Sequence, residues 1–187
     1  MRKIIMWNVV TLDGCFEGKQ PWDLSFHELV WGPELEVFII EQLHEADILI
    51  FGKNTYVGMA DYWPKAAKTD PEVADIMNNI SKVVCSSSLK EAGWNNTTIV
   101  HDAKKELQLL KERGDKPMFV FGSAKLSESI LNAGLIDEIR LCVAPILLGK
   151  GRRLFSSKID SRKLKLVESN PFANGGIILR YIIQNDK

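Results

Sequence analysis

The order of apolar segments along this 187-residue chain is the feature that most limits its fold. Short apolar runs, each too short to form a helix alone, alternate with segments whose apolar residues recur at helical spacing. In the last third, two strand-like runs follow each other across an Asn-, Pro- and Gly-rich turn at 170–175. This order predicts an α/β fold of three layers, with a mostly parallel mixed sheet, helices on both faces and a C-terminal antiparallel β-hairpin.

The same pattern places the individual elements. The predicted strands cover residues 3–10, 47–51, 82–85, 97–101, 118–121, 136–145, 163–169 and 176–183. The predicted helices cover residues 33–46, 56–62, 71–79, 104–113 and a segment that follows Ser123. A chain of this length suits one domain with a sizeable core, so we expect a single domain over residues 1–187.

Composition narrows the class of ligand. Lys plus Arg and Asp plus Glu both number 24, so no overall electrostatic field favours nucleic acid or an anionic membrane. We expect a cytoplasmic protein, because the N-terminal residues lack secretory-signal features and no apolar run reaches the roughly 20 residues of a spanning helix. The widely spaced Cys15, Cys85 and Cys142, with three scattered histidines, indicate free thiols and no metal site.

The segment 117–131, PMFVFGSAKLSESIL, is the clearest candidate for a ligand-holding corner. A buried strand runs through Gly122-Ser123-Ala124 into an amphipathic helix, which we expect the Ser123 side chain to cap. Small residues at such a corner let backbone N–H groups approach a ligand, and a helix N-terminus favours an anion. A tight turn made only for packing explains this segment equally well.

Two further corners favour the ligand interpretation. Gly52–Thr55 and Ser86–Ser88 each follow a predicted strand, and with Gly122–Lys125 they would meet at the C-terminal edge of a parallel sheet, where such sheets bind ligands. Their N–H groups, hydroxyls and two lysines suit a phosphorylated ligand such as a dinucleotide. A standard Rossmann site, P-loop chemistry and a serine nucleophile elbow are not expected, because the corresponding glycine-containing motifs are absent from the sequence.

Five segments, taken in order, resemble the dihydrofolate reductase-like superfamily. They are VVTLDG at 9–14, FGKNTY at 51–56, VVCSSS at 83–88, VFGSAKL at 120–126 and LIDEIRLCVAPILLGKGRRLF at 135–155. The chain is most similar to proteins that resemble the C-terminal reductase domain of the bifunctional riboflavin-biosynthesis deaminase–reductase. The resemblance covers essentially the whole chain. It implies a reductase fold that binds NADPH, and a homodimer with the strand and loop at 136–155 as the candidate interface.

The cofactor-binding residues that the resemblance implies all lie at strand ends and in the corners after them. Those expected at the adenosine 2′-phosphate and the pyrophosphate, following Gly52, are Lys53, Asn54 and Thr55. Those expected beside the adenine ribose are Cys85, Ser86 and Ser87. Those expected along the pyrophosphate and nicotinamide side are Gly122, Ser123, Ala124, Lys125 and Leu126. Those expected at the nicotinamide ring are Val10, Thr11 and Gly14.

Substrate contacts follow less directly from the resemblance. An ungapped count back from Gly52 places the substrate-gripping carboxylate of dihydrofolate reductases on Glu36, which could hydrogen-bond an aminopyrimidine or supply a proton as the catalytic residue. Glu36 could instead simply favour a helix N-terminus. Trp22, Glu36 and Ile40 are the expected substrate-binding residues, although Trp22 is also explained as a hydrophobic plug that pins its loop.

The leading hypothesis is an NADPH-dependent reductase that transfers a hydride to a small heterocycle or a carbonyl or imine compound. The resemblance implies a pterin, or a ribosylaminopyrimidine as in riboflavin biosynthesis. A non-catalytic nucleotide- or pterin-binding module that retains the fold is the alternative. A structural or interaction protein without a ligand is the third hypothesis.

Overall fold

The computed structural model describes residues 1–184. Eight strands form the main sheet: β1 (Ile4–Thr11), β3 (Ile48–Gly52), β4 (Ser81–Cys85), β5 (Thr97–Val100), β6 (Met118–Phe121), β7 (Glu138–Ala144), β9 (Lys163–Pro171) and β10 (Ile177–Gln184). Two short strands, β2 (Cys15–Glu17) and β8 (Arg152–Arg153), form a separate antiparallel pair that the apolar pattern did not predict. The helices are α1 (Pro33–Glu45), α2 (Lys53–Tyr62), α3 (Pro71–Asn79), α4 (Ala103–Lys111) and α5 (Ala124–Asn132).

The strand order in the main sheet is β5-β4-β3-β6-β1-β7-β10-β9. The first six of these strands run parallel to one another, and β10 is antiparallel to both β7 and β9. The predicted mixed sheet with its C-terminal hairpin is therefore confirmed. The six parallel strands all end at one side of the sheet, which we call the C-terminal edge.

Apolar side chains cover both faces of the sheet. Along β1, Ile5 and Trp7 pack into a core with α1, α2 and α3, whereas Ile4 and Met6 pack into a second core with α4 and α5. This alternation follows from the period of two along a strand, and the continuous burial of β1 is typical of a parallel strand covered on both sides. The three predicted layers are present, and no helix in residues 1–184 is long and apolar enough to cross a membrane.

Most predicted boundaries differ from the observed ones by at most two residues, and the largest difference lies at the start of α2. Residues Lys53–Thr55 were expected as a turn before a helix starting at Tyr56, but they form the first turn of α2, which begins directly after Gly52. The helix can start there because its first N–H groups need no partner inside the helix. Three candidate ligand-binding residues consequently lie on a helix N-terminus.

The DEIR motif at 137–140 holds the sheet together rather than lining its C-terminal edge. Glu138 is 2% exposed, and its carboxylate accepts hydrogen bonds from Arg140 at 2.7 Å and from Arg180 at 3.1 Å. Burial raises the pKa of Glu138, but the two guanidinium groups outweigh burial and hold it below its usual range. The motif thus ties β7 to β10 at the opposite end of the strands from the corners.

Candidate functional site

Hydrogen bonds join the corner after β3 directly to the corner after β6. The Gly52 N–H donates to the Ser123 hydroxyl at 2.9 Å, and the Ser123 N–H donates to the Thr55 hydroxyl at 3.2 Å. A Cβ added at Gly122 would lie 3.4 Å from the methyl group of Thr55, so the two corners also pack tightly. Gly52, Thr55, Gly122 and Ser123 therefore form one rigid junction at the C-terminal edge.

The expectation that Ser123 caps α5 with its side chain is wrong. Its hydroxyl makes no capping bond and instead donates to the Phe121 carbonyl at 3.0 Å. Ser123 adopts a left-handed backbone, with φ of 56°, which points its hydroxyl back toward the strands. A side chain in this conformation costs about 1–2 kcal/mol, and the hydrogen bonds made by the hydroxyl and the N–H of Ser123 offset that cost.

The two helices that start at this junction leave their N-termini open. Neither α2 nor α5 receives a side-chain cap from the described residues, and neither has an acidic residue in its first turn. In contrast, α4 has Asp102 as its N-cap and Glu106 in its first turn. The N–H groups of 53–55 and 124–126 therefore begin two helices on neighbouring strands, where they favour anionic groups.

The corner after β4 contains the three predicted serines and connects to α2. Lys53 Nζ donates to the Ser88 hydroxyl at 2.9 Å. The Ser86 hydroxyl accepts from the N–H groups of Ser88 and Leu89 at 3.2 and 3.0 Å, which fixes the turn. Ser87 is exposed. Cys85 is half-buried, and burial raises the pKa of its thiol to about 12, so the thiol stays protonated.

The predicted residues at the end of β1 differ in what their side chains contact. Thr11 is 1% exposed, and its hydroxyl donates to Asp13 at 2.6 Å and accepts from the Cys15 N–H at 3.0 Å. Val10 packs into the core beside α4 and α5, so only its backbone can reach a ligand at the edge. Val9, which the sequence analysis did not select, is half-buried on the α1 side. Gly14 adopts φ of 80° in the following turn.

Asp13 is a second residue that the sequence analysis missed. Its carboxylate accepts from the N–H of Leu148 at 3.2 Å and from that of Gly149 at 2.8 Å, as well as from Thr11. The Thr11 hydroxyl is the main cause that lowers the pKa of Asp13, followed by the Gly149 N–H. Asp13 thereby fastens the glycine-rich loop after β7 to the end of β1. An Asp-Gly pair reads as a turn, which hides this role in the sequence.

The predicted substrate-binding residues lie on the α1 and α2 side of the sheet. The Trp22 indole packs against α2 at Gly58, where an added Cβ would lie 1.9 Å from the ring. The backbone N–H of Trp22 donates to Glu17 Oε1 at 2.7 Å. The main chain and the indole of Trp22 therefore both hold the loop after β2 in place. Glu36 is exposed and Ile40 is half-buried. The two residues are one helical turn apart and lie on the same face of α1.

A family model described as "RibD C-terminal domain" matches residues 2–178. The chain belongs to this family. The corners after β3, β4 and β6 and the loop after β7 are thus parts of a RibD C-terminal domain.

Relatives of this domain agree in length and fold. Protein YyaP of Bacillus subtilis (strain 168) is 28% identical over 183 residues, which cover 96% of this chain and 94% of YyaP. A protein of Shewanella sp. PV-4, assigned to riboflavin biosynthesis, has a crystal structure that superposes with a TM-score of 0.80 at 19% identity, covering 98% of this chain and 99% of that one. Dihydrofolate reductase from Enterococcus faecalis, solved with NADP(H) and RAB-propyl, superposes with a TM-score of 0.64 at 13% identity, covering 98% and 97%. The fold is therefore that of dihydrofolate reductase.

Proposed function

We propose that this chain is an NADPH-dependent oxidoreductase that reduces a small heterocyclic, carbonyl or imine compound. The observation that carries the proposal is the pair of helix N-termini after β3 and β6, which lack side-chain caps from the described residues and first-turn acids. A pyrophosphate presents two anionic groups, and the first N–H groups of two neighbouring helices match them.

The residues at the C-terminal edge fit a dinucleotide from end to end. The N–H groups of 53–55 and 124–126 would hold the pyrophosphate, and the Gly52–Ser123 junction would keep both helix starts in place. The end of β1, with Thr11 and Gly14, would border the nicotinamide ring, and Cys85, Ser86 and Ser87 would border the adenine ribose. Once bound, NADPH would supply the hydride. The protein contributes position and electrostatic environment to such a reaction.

A matched pair of charge changes tests cofactor binding. Asn54→Asp adds a carboxylate to the first turn of α2, where it repels a pyrophosphate but interacts favourably with the helix dipole. We expect NADPH titrations followed by nicotinamide fluorescence to show about tenfold weaker binding, equivalent to about 1.4 kcal/mol of repulsion. Thermal stability should stay unchanged or rise slightly. Asn170→Asp, at an exposed position on β9, is the control. Wild-type protein without saturable binding at sub-millimolar NADPH would contradict the proposal.

We further propose that the substrate lies beside α1 and contacts Trp22, Glu36 and Ile40. A pterin or a ribosylaminopyrimidine presents amino and ring nitrogens that a carboxylate can hydrogen-bond. Within residues 1–184 the Glu36 side chain makes no hydrogen bond, so its carboxylate is available to hold such a group or to deliver a proton. Membership of the RibD C-terminal domain family supports a ribosylaminopyrimidine as the class of substrate.

The exposure of Glu36 also favours a second candidate, a nucleotide- or pterin-binding module without catalysis. A carboxylate that no neighbour orients is poorly placed to transfer a proton. Glu36→Gln, compared with Glu41→Gln at an exposed position on the same helix, distinguishes the two. Catalysis predicts that only the Glu36 variant loses turnover with a pterin or ribosylaminopyrimidine substrate. NADPH binding without turnover in the wild type favours the binding module.

We also propose a homodimer, with 136–155 as the interface given by the resemblance and with β9 as an additional contact. The side chains of Leu164, Leu166 and Val167 on this edge strand are 42%, 49% and 44% exposed. Contiguous exposed apolar side chains on a sheet edge are typical of association surfaces. Light scattering should give the mass of a dimer at micromolar concentration, and Leu166→Lys should shift it toward the monomer. A clean wild-type monomer would contradict this.

A further inference from the structure

β5 is the outermost strand at one end of the main sheet, and no strand in residues 1–184 pairs with its outer side. It pairs only with β4, in a regular parallel register. The carbonyl groups of Asn96 and Val100 accept hydrogen bonds from the β4 side. Because the direction of the backbone groups alternates along a strand, the N–H and C=O groups of Thr97 and Ile99 point away from β4.

β5 lacks most of the features that keep a sheet edge from pairing with another chain. Such edges are commonly guarded by proline, by charged side chains, by β-bulges or by a covering segment. The strand Thr97–Val100 contains neither proline nor a charged residue, and its pairing with β4 has no bulge. Only its length of four residues limits pairing. Its outward N–H and C=O groups can therefore bond to an added strand.

A groove of about 730 Å³ lies beside this edge, against α4. The first residues of β3, β4 and β5, which are Ile48, Ser81 and Thr97, contribute to its lining. The groove thus reaches the N-terminal ends of these strands, opposite the corners that form the candidate cofactor site. A molecule in this groove need not contact those corners.

The lining of the groove combines an apolar surface with one carboxylate. Val83, Val100 and Leu110 provide apolar side chains. Glu106 of α4 is half-buried, and its carboxylate has no ion-pair partner among the described residues. The other charged residue of the lining, Lys82, directs its side chain to the opposite face of the sheet, where its Nζ donates to backbone carbonyl groups.

A lysine or arginine side chain fits this lining. Its methylene stem can lie on the apolar surface while its charged end reaches the Glu106 carboxylate. Successive side chains of a strand alternate between the two faces of a sheet, so basic residues at every second position of an added strand would all face α4. Farther along β5, Asp102 and Lys105 carry opposite charges, which leaves Glu106 to set the net charge of this side.

We propose that β5 binds an extended segment of another protein by strand addition, with basic side chains facing α4 and apolar side chains on the face of Ile99. The outward backbone groups of β5 supply the hydrogen bonds, and Glu106 supplies the preference for basic residues. One segment fits better than a second copy of the chain, because four residues span only about 13 Å whereas a stable dimer buries about 800 Å² on each partner.

The probes are two acetylated and amidated hexapeptides, one of alternating valine and lysine and one of alternating valine and glutamate. Nuclear magnetic resonance follows the backbone amide signals of the isotope-labelled protein and their hydrogen exchange. We expect the lysine peptide to bind saturably below about 1 mM, and the glutamate peptide to bind at least about fivefold more weakly. The bound lysine peptide should slow exchange at Thr97 and Ile99 but change it little at Thr98, whose N–H points toward β4.

Variants test the carboxylate and the backbone separately. Glu106→Lys should abolish or reverse the preference for the lysine peptide, whereas Glu112→Lys, exposed at the end of the same helix, makes the same charge change and should retain it. Ile99→Pro removes an outward N–H and should weaken binding of the lysine peptide about fivefold. Ile99→Ala keeps that N–H and should weaken binding less. Melting curves verify folding, and the two glutamate variants still decide if Ile99→Pro does not fold.

Several results would overturn the proposal. These are the absence of saturable binding of either peptide at about 1 mM, equal affinity for both peptides, or signal changes confined to β9. Equal effects of Ile99→Pro and Ile99→Ala would exclude backbone pairing. If Thr97 and Ile99 are protected from exchange in the free protein and lose protection on dilution, a second copy covers β5 instead. All these measurements omit NADPH, so their failure leaves the proposed reductase function to its own titration.

Discussion

The Ser123 hydroxyl accepts a hydrogen bond from the Gly52 N–H at 2.9 Å, which joins two corners that lie 71 residues apart in the chain. Without that hydroxyl, the N–H at the end of β3 would have no acceptor. Ser123 is 8% exposed, so water would replace the bond poorly. The relationship makes Ser123 a structural support of the candidate site as well as one of its members.

Two substitutions at Ser123 separate the contribution of its hydroxyl to stability from the cost of its left-handed backbone. Ser123→Ala should lower the free energy of unfolding by about 1–3 kcal/mol, because the partly buried N–H of Gly52 loses its acceptor. Ser123→Gly loses the same hydroxyl but relieves the left-handed backbone, so it should be about 1 kcal/mol more stable than Ser123→Ala. Urea unfolding measures both, with Ser129→Ala on the exposed side of α5 as control. Equal stability of the alanine variant and the wild type would contradict the role of the bond.

The contact between Trp22 and Gly58 should reverse the usual effect of a glycine-to-alanine change in a helix. Alanine normally stabilises a helix interior by about 1 kcal/mol relative to glycine. At position 58, however, the new methyl group would lie within the indole ring of Trp22 and displace it. We expect Gly58→Ala to destabilise the wild type but to stabilise a Trp22→Ala background, as measured by thermal unfolding of all four proteins. If Gly58→Ala stabilises both proteins, the packing of the Trp22 indole does not require glycine at position 58.

Burial of His27 should make stability depend on pH below neutrality. Burial lowers the pKa of His27 to about 4, whereas an unfolded chain titrates near 6.5. Between these values the unfolded state binds a proton that the folded state does not, so stability falls as pH decreases from about 6.5 to about 4. The decrease in the free energy of unfolding that is attributable to His27 is at most about 3 kcal/mol.

The measurement compares urea unfolding of the wild type and His27→Gln across this range. The glutamine variant does not titrate, so the stability advantage of the wild type should shrink as the pH falls. His44→Gln, at an exposed position, is the matched control for a histidine-to-glutamine change. Parallel stability curves for wild type and His27→Gln would contradict the prediction.

Removing the Asp13 carboxylate should loosen the loop after β7. Asp13→Ala leaves the N–H groups of Leu148 and Gly149 without their acceptor, and Asp13→Asn retains one acceptor oxygen. Limited trypsin digestion should cleave after Lys150 several-fold faster in the alanine variant, with an intermediate rate for asparagine. Asp115→Ala, in the exposed turn before β6, should leave this rate unchanged. An unchanged rate in Asp13→Ala would show that other contacts hold the loop.

The sequence by itself determined the architecture and the position of the corners. Short β-branched and apolar runs favour strands covered on both faces, and helical spacing of apolar residues predicts the helices between them. The ends of the parallel strands must then lie at one edge, which is why the sequence alone groups the corners after β3, β4 and β6.

Only the tertiary structure decided which groups within those corners are available to a ligand. Val10 faces the α4 and α5 core while Val9 faces α1, because successive strand residues point to opposite faces of the sheet. An error of one position along β1 therefore selects a side chain on the wrong face. Ser123 bonds to Gly52, Asp13 to Gly149 and His101 to Ser86, each across segments distant in sequence. Such pairings depend on strand order, which local pattern does not contain.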